Sequence, residues 1–209
     1  MSDLIDSLIN RGYLRTPRII EAFQKINRND FLPPEMKNLG NLDEALPLGY
    51  GQTISQPLVV AFMLEQLNPL PGDKILDIGS GSGWTTALLA YIISQKENKK
   101  GKVIALEIIP ELKEFGAKNV AKYNFIEKGI AQFVCADGSK GYREEAPFDK
   151  ILVSAAGSEE KKAWQEQLKI KGRIVAPIGS SIWTFVKTNA NEWEETEYPG
   201  FVFVPLIEK

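Results

Sequence analysis

Residues 75–83 read Ile75-Leu76-Asp77-Ile78-Gly79-Ser80-Gly81-Ser82-Gly83. An apolar run closes on an acidic residue, and glycine then occupies every second position. Glycine is required where the backbone takes positive φ or where a ligand must approach it without meeting a Cβ. We therefore predict that a strand ends here and that the turn after it forms a nucleotide-type binding site. A purely structural turn is the alternative.

The spacing of these glycines excludes two common phosphate-binding motifs. The dinucleotide-binding pattern G-x-G-x-x-G requires a glycine where this chain has Trp84. A P-loop requires a lysine followed by Ser or Thr, and no basic residue lies between Asp77 and Gly83. The turn is therefore expected to bind a ligand other than a phosphate chain.

Strand and helix patterns alternate from Asp73 onward, which is typical of a parallel sheet with helical crossovers. Strands are predicted over 74–77, 102–107, 130–136, 148–153 and 173–177, and helices over 85–94, 110–123 and about 161–168. After Gly179 the pattern changes, and 181–188 and 201–206 are predicted as an antiparallel closing pair joined by an acidic loop near 193–197. The fold class is therefore α/β, with a doubly wound, mostly parallel sheet.

The first seventy residues indicate helices and loops, without a convincing alternation of strands. Helical spacing predicts helices over 4–9, 18–26 and 57–67, with an irregular stretch running up to Ile54. We expect one domain over 1–209: an N-terminal helical, substrate-side subdomain (1–70), a cofactor-binding core (71–179) and the closing strands (180–209).

Composition restricts the classes of function, the partners and the cellular location that we expect. The 25 basic and 27 acidic residues give a net charge of -2, which disfavours a nucleic-acid partner. No secretory signal or membrane span is visible, and the single cysteine, Cys135, lies in an apolar run, so we predict core packing and a cytoplasmic location. The chain has no histidine, which excludes Ser-His triads and histidine-based metal sites, and no metal is expected.

Three carboxylates are predicted at successive strand ends, where ligands bind in doubly wound sheets. Asp77 precedes the glycine turn, whose backbone N–H groups can reach a ligand carboxylate. Glu107 can accept hydrogen bonds from both ribose hydroxyls, and Asp137 from an adenine amino group. Taken singly, Glu107 or Asp137 can equally cap the next helix.

A second informative stretch surrounds Ser55. Pro57 fits the first turn of a helix, which places Ser55 at or next to its N-cap. Its hydroxyl and the free N–H groups of the first turn can bind a carboxylate, although on cap statistics alone Ser55 caps its own helix.

These segments together resemble protein-L-isoaspartate O-methyltransferases. The most specific part is Gly51-Gln52-Thr53-Ile54-Ser55-Gln56-Pro57, followed by the Asp77 to Gly83 motif typical of S-adenosylmethionine-dependent methyltransferases. Further matches are Asp137-Gly138, Ala146-Pro147-Phe148-Asp149, Ser154-Ala155-Ala156, Gly172-Arg173-Ile174-Val175-Ala176-Pro177-Ile178-Gly179 and Phe203-Val204-Pro205-Leu206. The resemblance covers nearly the whole chain.

The resemblance implies a Rossmann-like methyltransferase fold and methylation of the free carboxyl group of L-isoaspartyl residues in damaged proteins. S-adenosyl-L-methionine is the implied donor, isoaspartyl proteins and peptides are the implied partners, and we expect a monomer. It implies Ser55 as the active-site residue. The implied cofactor contacts are Thr53, Ile54, Asp77, Gly79, Ser80, Gly81, Ser82, Gly83, Glu107, Ile108, Asp137 and Gly138.

The chain departs from the family pattern around the acceptor side. Leu58 and Val59 follow Pro57 where the family often has a histidine or an aromatic residue. The segment Gly157-Ser158-Glu159-Glu160-Lys161 predicts a more acidic edge of the substrate site than is common in the family. Two alternatives stay open: a methyltransferase of the same fold acting on a small-molecule carboxylate or hydroxyl, and a non-catalytic S-adenosylmethionine-binding protein.

Overall fold

The computed structural model describes residues 2–96, 100–157 and 162–208. The helices are α1 (Ser2–Asn10), α2 (Pro17–Lys25), α3 (Pro57–Leu67), α4 (Trp84–Ile93), α5 (Pro110–Ala121) and α6 (Lys162–Glu166). The strands are β1 (Leu46–Gly49), β2 (Gln52–Ile54), β3 (Lys74–Ile78), β4 (Lys102–Glu107), β5 (Ala131–Cys135), β6 (Phe148–Val153), β7 (Leu168–Ile178), β8 (Ser181–Lys187) and β9 (Trp193–Pro199). None of the helices within these residues is long and apolar enough to cross a membrane.

Seven strands form one sheet in the order β5-β4-β3-β6-β7-β8-β9. The strands from β5 to β7 in this order pair in parallel, and β8 and β9 pair antiparallel at one edge. The chain moves from β3 outward to β5, then returns to the other side of β3 with β6. The strand order therefore reverses beside β3, where ligands bind in such sheets. The predicted doubly wound α/β fold is confirmed.

Both faces of the sheet are covered. On β3, Ile75 packs into a cluster that contains side chains of α3 and α4, whereas Leu76 and Ile78 pack into a second cluster that contains Trp164 of α6. Alternate residues of a strand face opposite sides, so strands covered on both faces read as apolar runs. This burial explains why the central strands were recognisable from sequence.

The closing strands differ from the sequence prediction. The second antiparallel strand is β9 (Trp193–Pro199), which was predicted as an acidic loop, and 201–206 is not a strand. Most of the β9 residues are exposed, and charged side chains are suited to a sheet edge that must not pair with another chain. After Gly200 the chain leaves the sheet: Ala156 N donates to Val204 O (2.8 Å), and Leu206 N donates to Ala156 O (2.8 Å).

Two further predictions were wrong. The stretch before Ile54 contains the antiparallel hairpin β1–β2, whose turn residues Tyr50 and Gly51 have φ of 54° and 71°. Two residues at positive φ suit the twist of a tight hairpin, but Tyr-Gly lacks the usual Asn-Gly signal. Cys135 is exposed rather than part of the core, because β5 is an edge strand and Cys135 lies at its end.

Candidate active site

The glycine turn links the end of β3 to the start of α4. Gly79, Gly81 and Gly83 have φ of 76°, 48° and 82°. Gly79 N and Ser80 N donate to Leu106 O of β4 (2.9 and 3.0 Å), and Gly83 N donates to Ser80 O (2.8 Å). Gly81 N and Trp84 N are also bonded within the protein, to Glu107 Oε2 (2.9 Å) and Ser82 Oγ (3.4 Å). Within the described residues of the turn and the first turn of α4, the N–H groups of Ser82, Thr85 and Thr86 remain as donors to a ligand carboxylate. The turn mainly offers a surface without Cβ atoms.

Gly83 has a packing role that the sequence did not show. A Cβ on Gly83 would lie 2.8 Å from Gly116 O of α5 and 2.9 Å from Val120 Cγ2. Glycine therefore allows α5 to cross close to the turn.

Glu107, the last residue of β4, holds this turn through its carboxylate. Its Oε2 accepts from Gly81 N (2.9 Å) and its Oε1 accepts from Ile109 N (3.1 Å). The side chain is buried, with 6% of its surface exposed. Each carboxylate oxygen has further acceptor capacity, so Glu107 can order the turn and still accept hydrogen bonds from a ligand.

A cavity partly open to solvent, with about 730 Å³ of empty space when its open part is included, lies at the carboxyl ends of β3, β4 and β6. Ten of the predicted site residues line it: Thr53, Ile54, Ser55, Gly79, Ser80, Gly81, Ser82, Glu107, Ile108 and Gly138. Asp77, Gly83 and Asp137 are not among its lining residues.

Asp77 is fully buried and faces α4. Its Oδ2 accepts from Thr86 Oγ1 (2.6 Å), and its Oδ1 has no hydrogen-bond partner among the described residues. Burial raises the pKa of Asp77 to about 7; the Thr86 hydrogen bond lowers it and the nearby Glu107 charge raises it further. The carboxyl group therefore titrates near neutral pH.

Asp137 caps a short turn instead of facing the cavity. Its Oδ1 accepts from Ser139 N (3.0 Å) and Ser139 Oγ (2.6 Å), and its Oδ2 pairs with Lys140 Nζ at 3.2 Å. Its neighbours Ala136 and Gly138 do line the cavity. The geometry favours the capping role for Asp137, and its contact with a cofactor stays a prediction.

Ser55 precedes the N-cap residue of α3, Gln56, and its hydroxyl does not cap the helix. Asp43 takes that role from a distant loop, because its Oδ1 accepts from Leu58 N (2.9 Å). One of the first-turn N–H groups predicted to bind a carboxylate is therefore already used. The Ser55 hydroxyl, half-buried, has no hydrogen-bond partner within the described part of the chain and remains available to a ligand.

A second cavity adjoins the first, lined by Ala45, Thr53, Ser55, Gln56, Val59, Ser154, Val202, Phe203 and Val204. Thr53, Ser55, Ser154 and Val204 line both cavities. Three hydroxyl groups therefore border the junction, and none of the three has a hydrogen-bond partner among residues 2–96, 100–157 and 162–208. Such a junction can bind an anionic group of one ligand beside another ligand in the first cavity.

A sequence model of the family described as protein-L-isoaspartate(D-aspartate) O-methyltransferase (PCMT) matches residues 1–209. The chain belongs to this family. A protein-L-isoaspartate O-methyltransferase of Methanopyrus kandleri is 38% identical over 208 residues, which are 98% of this chain and 89% of the relative. Protein-L-isoaspartate O-methyltransferase 2 of Archaeoglobus fulgidus is 42% identical over 195 residues, 90% of this chain and 84% of the relative. The resemblance inferred from the sequence is confirmed.

Solved structures match the fold of this family member. A Plasmodium falciparum protein assigned to the same enzyme class, in complex with S-adenosyl-L-homocysteine, superposes with a TM-score of 0.89 at 24% identity and covers 99% of this chain and 98% of its own. A structure of a protein-L-isoaspartate O-methyltransferase gives a TM-score of 0.84 at 26% identity, covering 98% of this chain and 65% of its own.

Several residues that line the two cavities of this protein were not predicted from the sequence. Ser154 follows β6 directly, so its position at the carboxyl edge beside β3 could have indicated it. Val204, Pro205 and Leu206 line the first cavity, but they were predicted to be strand residues and only their packing on Ala156 brings them there. The acidic segment predicted to alter the substrate edge lies, apart from Gly157, outside the described residues.

Proposed function

We propose that this protein transfers a methyl group from S-adenosyl-L-methionine to the free carboxyl group of L-isoaspartyl residues in damaged proteins. The main-chain nitrogen of the neighbouring peptide bond then attacks the methyl ester and expels methanol, which gives a succinimide whose hydrolysis can re-form normal aspartate. The observation that carries the proposal is the hydroxyl of Ser55, which lies at the junction of the two cavities and has no hydrogen-bond partner among the described residues, in a chain that matches the family over its whole length.

The first cavity fits the cofactor. Ser80 and Trp84 line it, and Ser80 Oγ and Trp84 Nε1 are buried without a hydrogen-bond partner among the described residues. Buried polar atoms normally have a partner, and we assign that role to the cofactor. Glu107 and the apolar side chains of Ile78 and Leu106 suit a cationic sulfonium ligand better than a phosphate. When bound, the cofactor supplies an electrophilic methyl group.

The residues of the second cavity act on the acceptor. An isoaspartyl carboxylate is already an anion and a nucleophile at neutral pH, so no general base is required of a chain that has no histidine. Ser55 orients the carboxylate by donating its hydroxyl hydrogen, with Thr53 and Ser154 as neighbouring donors. Val204, held by the hydrogen bond from Ala156 N, supplies the apolar side of the junction. Alignment of the acceptor with the methyl group then supplies most of the acceleration.

The division of roles along the chain belongs to the same proposal. Residues 1–70 shape the acceptor side, 71–179 hold the cofactor, and 180–209 close the site. We further propose that the enzyme acts as a monomer in the cytoplasm, which light scattering of the purified protein and localisation of the tagged protein test separately.

One experiment separates this function from its alternatives. The protein is incubated with labelled S-adenosylmethionine and two peptides that differ only in an aspartyl or an L-isoaspartyl linkage. Base-labile label on the isoaspartyl peptide alone supports repair methylation. Label on neither peptide, with the cofactor still bound, contradicts it and favours a small-molecule acceptor or a non-catalytic binding protein.

A further inference from the structure

Arg28, in the 3₁₀ helix Arg28–Phe31, is a charged residue with no exposed surface. Its Nη1 donates to Leu42 O (3.0 Å), and its Nη2 donates to Glu44 O (2.7 Å) and Ser55 O (3.1 Å). Every one of these acceptors is a main-chain carbonyl. Burying a cation that has no carboxylate within hydrogen-bonding distance among the described residues lowers the stability of the fold. This cost suggests that Arg28 has a role beyond packing.

Arg28 remains charged despite this burial. Desolvation lowers the pKa of Arg28 to about 10, and the charge of Asp43 opposes the shift. At neutral pH the guanidinium group is therefore protonated, and the protein places a positive charge, partly balanced by the charge of Asp43, behind the wall of the site.

Two of the residues that Arg28 contacts, Ser55 and Trp84, line the cavities. Ser55 carries the hydroxyl at the junction, and the loop that contains Leu42 and Glu44 also contains Asp43, the cap of α3. The guanidinium carbon lies 5.3 Å from the centre of the Trp84 ring, which lines the first cavity. One buried group therefore contacts both walls of the reaction centre.

We propose that Arg28 is a positioning residue of the methyl transfer, which fixes the main chain at Ser55 and the ring of Trp84 and favours an anionic acceptor beside them. This inference rests on the proposed function. The planar guanidinium group reaches three carbonyl oxygens at fixed angles, which a lysine ammonium group cannot reproduce. Its charge acts through a protein interior of low dielectric, where screening by salt is weak.

Two variants and a matched control test the proposal. Arg28→Met removes the charge and the three hydrogen bonds but keeps most of the side-chain volume, and Arg28→Lys keeps only the charge. The control is Arg173→Met. Arg173 also donates to a main-chain carbonyl, Gln66 O, and the Nε atoms of both arginines are buried without a hydrogen-bond partner among the described residues. Arg173 is not among the residues that line the two cavities.

For each variant we would measure the unfolding temperature, kcat and KM for the isoaspartyl peptide, the Kd for S-adenosylhomocysteine, and amide hydrogen exchange over residues 42–58 without ligands. We expect Arg28→Met to lower kcat/KM by about 10- to 100-fold, because small displacements at a reaction centre have effects of this size. Exchange over 42–58 should accelerate. Because Arg28 also contacts the Trp84 ring of the cofactor cavity, the Kd should rise, but by a smaller factor than kcat/KM falls. Arg28→Lys should recover part of kcat/KM. Arg173→Met should lower only the unfolding temperature.

The proposal is overturned if Arg28→Met and Arg173→Met lose similar stability while both retain the wild-type kcat/KM and exchange rates. If Arg28→Met does not fold, Arg28→Lys decides, since wild-type kinetics and exchange in that variant would show that the three hydrogen bonds are dispensable. Inactivity of the wild-type enzyme towards the peptide would contradict the proposed function instead. The exchange measurement needs no acceptor and still tests whether Arg28 holds Ser55.

Discussion

Replacing Glu107 by glutamine tests how this enzyme orders its glycine turn. In the wild-type protein the carboxylate accepts from Gly81 N and Ile109 N at 2.9 and 3.1 Å. Glutamine keeps one acceptor oxygen and presents an NH₂ group where the other was, so one of the two N–H groups loses its partner.

The size of the effect follows from that lost bond. A hydrogen bond to a charged group contributes about 1.5–3 kcal/mol. In the ligand-free variant the turn can loosen and expose the N–H group to water, whereas the bound state must hold it in place. We therefore expect the loss to appear in binding, with S-adenosylhomocysteine affinity reduced by about 10- to 150-fold.

Titration calorimetry with S-adenosylhomocysteine measures this effect. The matched control is Glu111→Gln, which removes the same charge from an exposed position in the first turn of α5 and should bind as the wild type does. Equal affinities for Glu107→Gln and the wild-type protein would refute the reasoning, because they would show that the carboxylate neither orders the turn nor contacts the ligand.

Three further predictions concern Ser55, Asp77 and Gly83. Ser55→Ala should lower kcat for the isoaspartyl peptide by about 10- to 100-fold, because one hydrogen bond to a charged group is lost, and should leave the cofactor Kd nearly unchanged. An equal loss of cofactor affinity would place Ser55 in the cofactor site instead. Because the pKa of Asp77 is raised to about 7, the folded state binds a proton that the unfolded chain has released, so this residue's contribution to stability falls as pH rises from about 4 to 7. Urea unfolding at pH 5 and 8 should show that the wild type loses stability relative to Asp77→Asn, and parallel changes in both proteins would contradict this. Gly83→Ala should lower the unfolding free energy more than Gly129→Ala, its control, which also has positive φ (67°) but has open space around it. We expect a cost of about 1 kcal/mol for Gly129→Ala, and about 1–3 kcal/mol more for Gly83→Ala because the new Cβ would meet Gly116 O. Equal costs would show that α5 can move away.

Much of the fold was predictable because the signals are local. The runs that became β4 and β6 are apolar since both faces of those strands are covered, and their predicted bounds match the structure. The errors fall at the edges of the sheet. At one edge β9 is acidic and exposed, and at the other β5 leaves Cys135 exposed. The rule that strands are apolar therefore fails for the edge strands of the sheet.

The candidate site was predictable where it depends on strand ends. Parallel strands bring their carboxyl ends to one edge of a sheet, so the turn after β3 and Glu107 had to lie close together. Sequence could not decide which way a carboxylate at such an end turns. Asp137 turns to Ser139 and Lys140, and Asp77 turns to Thr86, because the partners available in the folded chain determine the direction.

The sequence by itself determined the family, the sheet and the glycine turn, since each depends on residue types at short spacing. Only the tertiary structure decided that the Ser55 hydroxyl has no hydrogen-bond partner in the described part of the chain, because Asp43, from another loop, caps the helix that Ser55 precedes. Packing also brought Val204 to the junction of the two cavities and Arg28 behind it. These contacts join segments far apart in the chain, and their free energy exists only when the whole fold holds them together.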